Sequence, residues 1–184
     1  MIHALTPMRC LEATILAFSA ASLLPAADLS PMEQKIAQAL DANISKTNAL
    51  LERLVNINSG TLNPEGVRKV GDILRPEFEA LGFQVRWIPM DEVHRAGHLV
   101  AERQGNRGKR VLLIGHMDTV FEPASQFQKF EPSGDSATGP GANDMKGGLM
   151  IILSALQALH TAGALDGSSI TVFLTGDEES IVPR

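Results

Sequence analysis

The stretch RVLLIGHMD, residues 110–118, decides how the chain is read. An unbroken apolar run from Val111 to Ile114, preceded by the turn-rich QGNRGK (104–109) and followed by Gly115, has the pattern of a strand buried on both faces. Such strands belong to α/β layered domains, and this one is expected at the centre of its sheet. Its carboxyl end turns polar. His116 and Asp118 come just after the last apolar residues of the run, and in open α/β sheets ligands collect beyond the carboxyl ends of the strands.

Working outward, a second core strand, SSITVFLTG (168–176), delivers Asp177, Glu178 and Glu179 in the equivalent place. Between the two lies GPGANDMKGG (139–148), which puts Asp144 at the start of an apolar helix ending at Gly163. Backbone N–H groups and the helix dipole favour the ionised form of an aspartate there, and alone it would read as an N-cap. Three elements therefore converge on one face. Imidazole with several carboxylates and no thiolate is the donor set of zinc or another borderline-to-hard divalent cation. Taken singly, each piece is bland: His-x-Asp is a common loop pair, Gly-Pro-Gly a turn, and Asp-Glu-Glu a solvated acidic corner. Lys146 does not have the glycine spacing of a phosphate loop.

The remaining elements support an α/β fold with a largely parallel sheet. Ser30-Pro31-Met32-Glu33 carries the signature of a helix start, continued by Ile36, Leu40, Ile44, Leu51 and Leu54. After a turn-rich linker, NINSGTLNPEG (56–66), a second amphipathic helix runs through Val67, Val70, Leu74, Phe78 and Leu81 to Gly82, with a kink expected at Pro76. FQVRWI (83–88) and HLVAER (98–103) read as strands, and a short strand is expected near FQKFEP (127–132). His94 and His98 stand four apart, but Gly97 and the lack of an amphipathic pattern argue against a helical metal pair. His160 suits the last turn of its helix, and Trp87 is expected to pack against the sheet.

With 184 residues, 44% of them hydrophobic, the chain is long enough to bury a real core. A net charge of −5 with scattered Lys and Arg argues against a nucleic-acid surface and points to a small molecule or peptide. Residues 1–27 differ from the rest: Arg9 precedes LEATILAFSAASLLPAA (11–27), which reads as a secretory signal interrupted only by Glu12. That reading places the mature chain, from Asp28 on, in the periplasm or outside the cell; the alternative is a buried N-terminal helix in a cytoplasmic protein. The run is too short for a stable membrane span. The single cysteine, Cys10, lies within residues 1–27, so the mature chain has no disulfide framework.

The ordered set LVNINSGT (54–61), LLIGHMDTVFE (112–122), ATGPGANDMKGG (137–148) and TVFLTGDEE (171–179) resembles the co-catalytic zinc exopeptidases and deacylases, a family that includes glutamate carboxypeptidase and succinyl-diaminopimelate desuccinylase. GHMDTVFE and LTGDEE look closest to the glutamate carboxypeptidase branch. The resemblance implies a layered helix–sheet–helix catalytic domain holding two zinc ions, and a hydrolase acting on a peptide or N-acyl amino acid substrate. By position, His116 would bind one metal, Asp144 would bridge both, and Glu179 would ligate the other. Glu178 would be the general base, and Asp118 the catalytic carboxylate that orients His116. One of the paired glutamates must hold metal while its neighbour stays free to move the proton. Neighbours in an extended strand point to opposite faces, so the chain must turn there; Gly176 is expected to permit the turn and Asp177 to support it.

The same resemblance implies about twice this length. A further aspartate ligand, an inserted dimerisation domain and a late histidine ligand would all lie beyond Arg184. Residues 28–184 are thus expected to be the N-terminal part of a catalytic domain that dimerises when complete. Alone, the chain is expected to bind zinc weakly and to hydrolyse nothing, or to persist as a non-catalytic binding fragment.

Overall fold

The computed structural model describes residues 28–180, and the export-signal reading of residues 1–27 and the position of Cys10 lie outside them. Helix α1 (Pro31–Val55) begins at the proline the sequence singles out. Helix α2 (Pro64–Glu79) starts earlier than its apolar spacing indicates, because Asn63 accepts a hydrogen bond from the Gly66 N–H at 3.3 Å and Pro64 takes the first helical position. Pro76 falls in the last turn of this helix, where its missing N–H costs one intrahelical bond. Then come β1 (Gln84–Met90), a single 3₁₀ turn, β2 (Arg95–Arg103) and β3 (Arg107–His116). A small hairpin of β4 (Glu131–Ser133) and β5 (Ser136–Thr138) precedes α3 (Lys146–Thr161) and β6 (Ser168–Thr175).

The main sheet has the order β1-β2-β6-β3. The α/β class is as expected, but the direction of the strands is not: β1–β2 and β2–β6 are antiparallel, and only β3–β6 is parallel. Apolar runs reveal burial and not direction. The short 3₁₀ turn after β1 forces an antiparallel neighbour, whereas the long connection from β3 to β6 carries α3 and allows a parallel one.

Strand β3 is also not central among the described residues. It lies at the edge, with β6 inserted between it and β2. Alternation along the strand turns Leu113 toward the core and leaves Leu112 and Ile114 59% and 63% exposed on the other face. The core lies on the first face. There Val67, Val70, Leu74 and Phe78 of α2 and Leu149, Leu153 and Leu156 of α3 meet Leu99, Ala101, Ile170, Val172 and Leu174 of the sheet. The helix–sheet–helix expectation is therefore met on one face only within these residues: α2 and α3 cover it, and α1 packs on α3. Trp87 joins this core over Gly71 of α2, its indole N–H donating to the Ala96 carbonyl at 3.1 Å.

Two strand substitutions test the sidedness. Leu174→Ala empties a buried site and is expected to lower unfolding free energy by about 2–5 kcal/mol in urea melts. Leu112→Thr on the bare face is expected to change it by about 0.5 kcal/mol or less.

Candidate metal centre

The one parallel pair builds the site. Its register sets His116 beside Thr175, and the Met117 N–H continues the ladder to the Thr175 carbonyl at 2.8 Å, so both strands end together. Beyond that point β3 yields Asp118 and β6 yields residues 177–179.

Asp118 is fully buried, and donors from three segments meet on it. Its Oδ2 accepts the Thr61 hydroxyl at 2.7 Å and the Glu179 N–H at 3.0 Å, and its Oδ1 accepts the Glu178 N–H at 3.2 Å. These bonds and the neighbouring His116 outweigh burial, which favours the neutral acid, and hold the carboxyl below the usual aspartate range. The orienting contact to His116 is shared. Nδ1 lies 3.1 Å from the backbone carbonyl of Asp118 and 3.5 Å from its carboxylate, so the residue fixes the ring through both groups. The other ring nitrogen, Nε2, faces Asp144 Oδ1 at 3.0 Å and Glu178 Oε2 at 3.9 Å.

Ligand atoms of His116, Asp144 and Glu179 all fall within 4.8 Å of one another. One imidazole and two carboxylates suit zinc or a similar divalent cation. The electrostatics agree. Burial raises the Glu179 carboxyl above its ordinary value, and although the His116 charge pulls it down, the negative charges of Asp144, Glu178 and Asp118 push it further up. A cation among these groups would relieve that crowding. Glu178, with a side chain 57% exposed, stays outside the cluster.

Local backbone differs from the sequence reading in two places. Asp144 does not cap α3; Met145 occupies the N-cap position without a side-chain bond, and the loop instead closes through the Lys146 N–H to the Gly141 carbonyl at 2.7 Å, with Gly141 at φ +74°. Asp144 is thereby left free to face His116. Gly176 is needed for space rather than for a left-handed turn, since a Cβ there would strike the Gly97 carbonyl and Val67. Asp177 turns away from the cluster toward His98, with Oδ1 4.0 Å from Nδ1. His94 caps the 3₁₀ turn at φ +56°, so the two histidines share no helix face.

Sequence reasoning missed Thr61 and Lys146. Thr61 sits in what reads as a linker, yet residues 59–61 are buried and run beside β3's extension: Thr119 N–H donates to the Ser59 carbonyl at 2.9 Å and Thr61 N–H to the Thr119 carbonyl at 3.2 Å. Lys146 is wholly buried, its ammonium donating to the Ile57 carbonyl at 2.9 Å, and burial lowers its pKa to about 8. Both fall within motifs that carry the family resemblance, but nothing local shows what either side chain binds, because their partners lie far away in sequence.

Comparison with known proteins agrees with this geometry and points to one family. Residues 112–182 match the model of Peptidase family M20/M25/M40. Over that stretch the chain is similar to M20-family peptidases. Carboxypeptidase G2 of a Pseudomonas strain is 39% identical over 130 residues, 70% of this chain and 31% of that protein. Succinyl-diaminopimelate desuccinylase of Rhodospirillum centenum is 30% identical over 115 residues, 59% of this chain and 30% of that protein. Human carnosine dipeptidase 1 shares the fold with a TM-score of 0.70 at 19% identity, over 83% of this chain and 36% of its own. The chain thus spans about a third of the length of the curated relatives it matches. No helix among its described residues is long and apolar enough to cross a membrane.

His116 gives a pH test. Burial disfavours the charged imidazole, but hydrogen bonds to Asp118 and Asp144 overcome it and raise the His116 pKa from 6.5 to about 9. The folded, metal-free chain therefore holds this proton more tightly than the unfolded chain. The resulting stability is complete below about pH 6.5 and is lost as pH rises through about 9. Buried Lys146, with its lowered pKa, acts in the opposite direction, so the test is the comparison with a variant: in urea melts in chelator, raising the pH from about 6 to about 9.5 is expected to cost the parent chain more stability than it costs His116→Asn.

Proposed function

We propose that residues 28–184 are the N-terminal part of the catalytic domain of a metal-dependent hydrolase that cleaves a peptide bond, releasing a C-terminal amino acid of the glutamate type. The observation that carries this is the division of labour between neighbours: Glu179 joins His116 and Asp144 in a metal-sized cluster, while Glu178 stands free 3.9 Å from the same imidazole. The similarity to carboxypeptidase G2 supports the substrate class. The composition of residues 1–27 supports export to the periplasm or beyond, and the family resemblance supports a homodimer and two zinc ions in the complete protein, bridged by Asp144.

A bound cation supplies Lewis acidity to the scissile carbonyl and lowers the pKa of attacking water. His116, Asp144 and Glu179 are the groups that would hold it. Asp118 keeps the His116 ring oriented through Nδ1, leaving Nε2 turned toward the cluster. Glu178, unligated and reachable from solvent, takes the proton from water and delivers it to the leaving amine. A second reading, an N-acyl or N-succinyl amino acid deacylase using the same residues, is favoured by the similarity to succinyl-diaminopimelate desuccinylase. Both substrates place an amide beside an amino-acid carboxylate.

Metal binding is measured in the 184-residue chain, and turnover in a chain extended to the length of the relatives. Glu178→Gln is expected to reduce hydrolysis of a peptide ending in glutamate by about 10²–10⁴-fold. Zinc affinity in calorimetry should meanwhile stay within about threefold for Glu178→Gln and fall by about tenfold or more for His116→Ala or Glu179→Gln. Full turnover in Glu178→Gln, or in the presence of chelator, removes the proposal. Faster cleavage of an N-succinyl amino acid than of the glutamyl peptide selects the second reading.

A further inference from the structure

Asp118 can do its work only if its carboxylate plane is fixed, because the last torsion of an aspartate is intrinsically broad. The two N–H groups of Glu178 and Glu179 come one to each oxygen, but they sit on the turn that has to be held, so they cannot also be the anchor. The shortest bond to the carboxylate comes from elsewhere. Thr61 donates its hydroxyl to Oδ2 at 2.7 Å, and its own backbone is tied to Thr119, the residue following Asp118, at 3.2 Å. Thr61 is 1% exposed, so no solvent replaces the donor if it is removed. A further tie holds the start of the segment, where the buried Lys146 ammonium binds the Ile57 carbonyl.

We infer that Thr61 is a positioning residue for the metal centre: its hydroxyl locks the Asp118 carboxylate, which in turn holds the turn bearing Glu178 and Glu179 and the ring of His116. The inference rests on the reading of His116, Asp144 and Glu179 as metal ligands. Without the Thr61 hydroxyl, Oδ2 keeps one donor and the carboxylate turns to satisfy itself, loosening both backbone bonds at 178 and 179. Thr61 is not one of the three grouped metal donors, and its hydroxyl acts through Asp118.

Thr61→Val keeps the shape of the side chain and removes the hydroxyl, whereas Thr61→Ser keeps the hydroxyl. Two measurements on the 184-residue chain separate them: zinc affinity by calorimetry, and hydrogen exchange at the Glu178 and Glu179 amides without metal. Thr61→Val is expected to retain the helical circular-dichroism signal, to bind zinc about tenfold more weakly or worse, and to exchange both amides faster. Thr61→Ser is expected to restore affinity to within about threefold of the parent chain and to slow exchange again. Wild-type affinity and exchange in Thr61→Val, equal loss in Thr61→Ser, or an unfolded Thr61→Val each overturns the inference. His116→Ala distinguishes the two levels. If it leaves zinc binding unchanged, the metal reading fails and this inference with it; if it abolishes binding while Thr61→Val does not, only the role of Thr61 fails.

Discussion

The arrangement depends on one buried carboxylate. Asp118 has no exposure to water, and an ionised group in that position is tolerated only when donors take up its lone pairs. Those donors come from the segment before α2, from the turn after β6, and from the imidazole two residues earlier. Satisfying Asp118 therefore requires three distant pieces of chain to meet, and their meeting creates the site. The charge is the fastener of that meeting.

The parallel pairing of β3 with β6 makes this geometry possible. Antiparallel neighbours would send their carboxyl ends to opposite edges of the sheet, and His116 would stand far from Glu178 and Glu179. In the observed register the strands finish level, and the N–H groups of 178 and 179 bend over to Asp118. That bend breaks strand alternation. Glu179 joins Asp144 and His116 while its neighbour lies outside that cluster, so the different placing of the two glutamates follows from backbone hydrogen bonds rather than from any difference in their chemistry.

Much of this is legible in the sequence, for physical reasons that also mark its limits. The helices are near where apolar spacing and Pro31 put them, and the polar residues after RVLLIG and SSITVFLTG do gather at one end of the sheet. Strand direction and edge position are not legible, because Val111 to Ile114 look alike whether their second face is covered or bare. Thr61 and Lys146 escape notice because a buried hydroxyl or ammonium is defined by its partner, and Asp118 and Ile57 stand far from them along the chain. Asp144 is expected in the right region for the wrong reason: it faces the imidazole because the loop through Gly141 closes without using its side chain as a cap.

In the proposed centre, His116, Asp144 and Glu179 hold a cation while Asp118 stays behind the ring. Anomalous diffraction at the zinc edge from crystals grown with zinc tests it most directly. The account predicts a peak about 2.0–2.1 Å from His116 Nε2, with carboxylate oxygens of Asp144 and Glu179 in the same shell. A peak bound by Nδ1, one with Asp118 as a direct ligand, or zinc found only away from this cluster would contradict it.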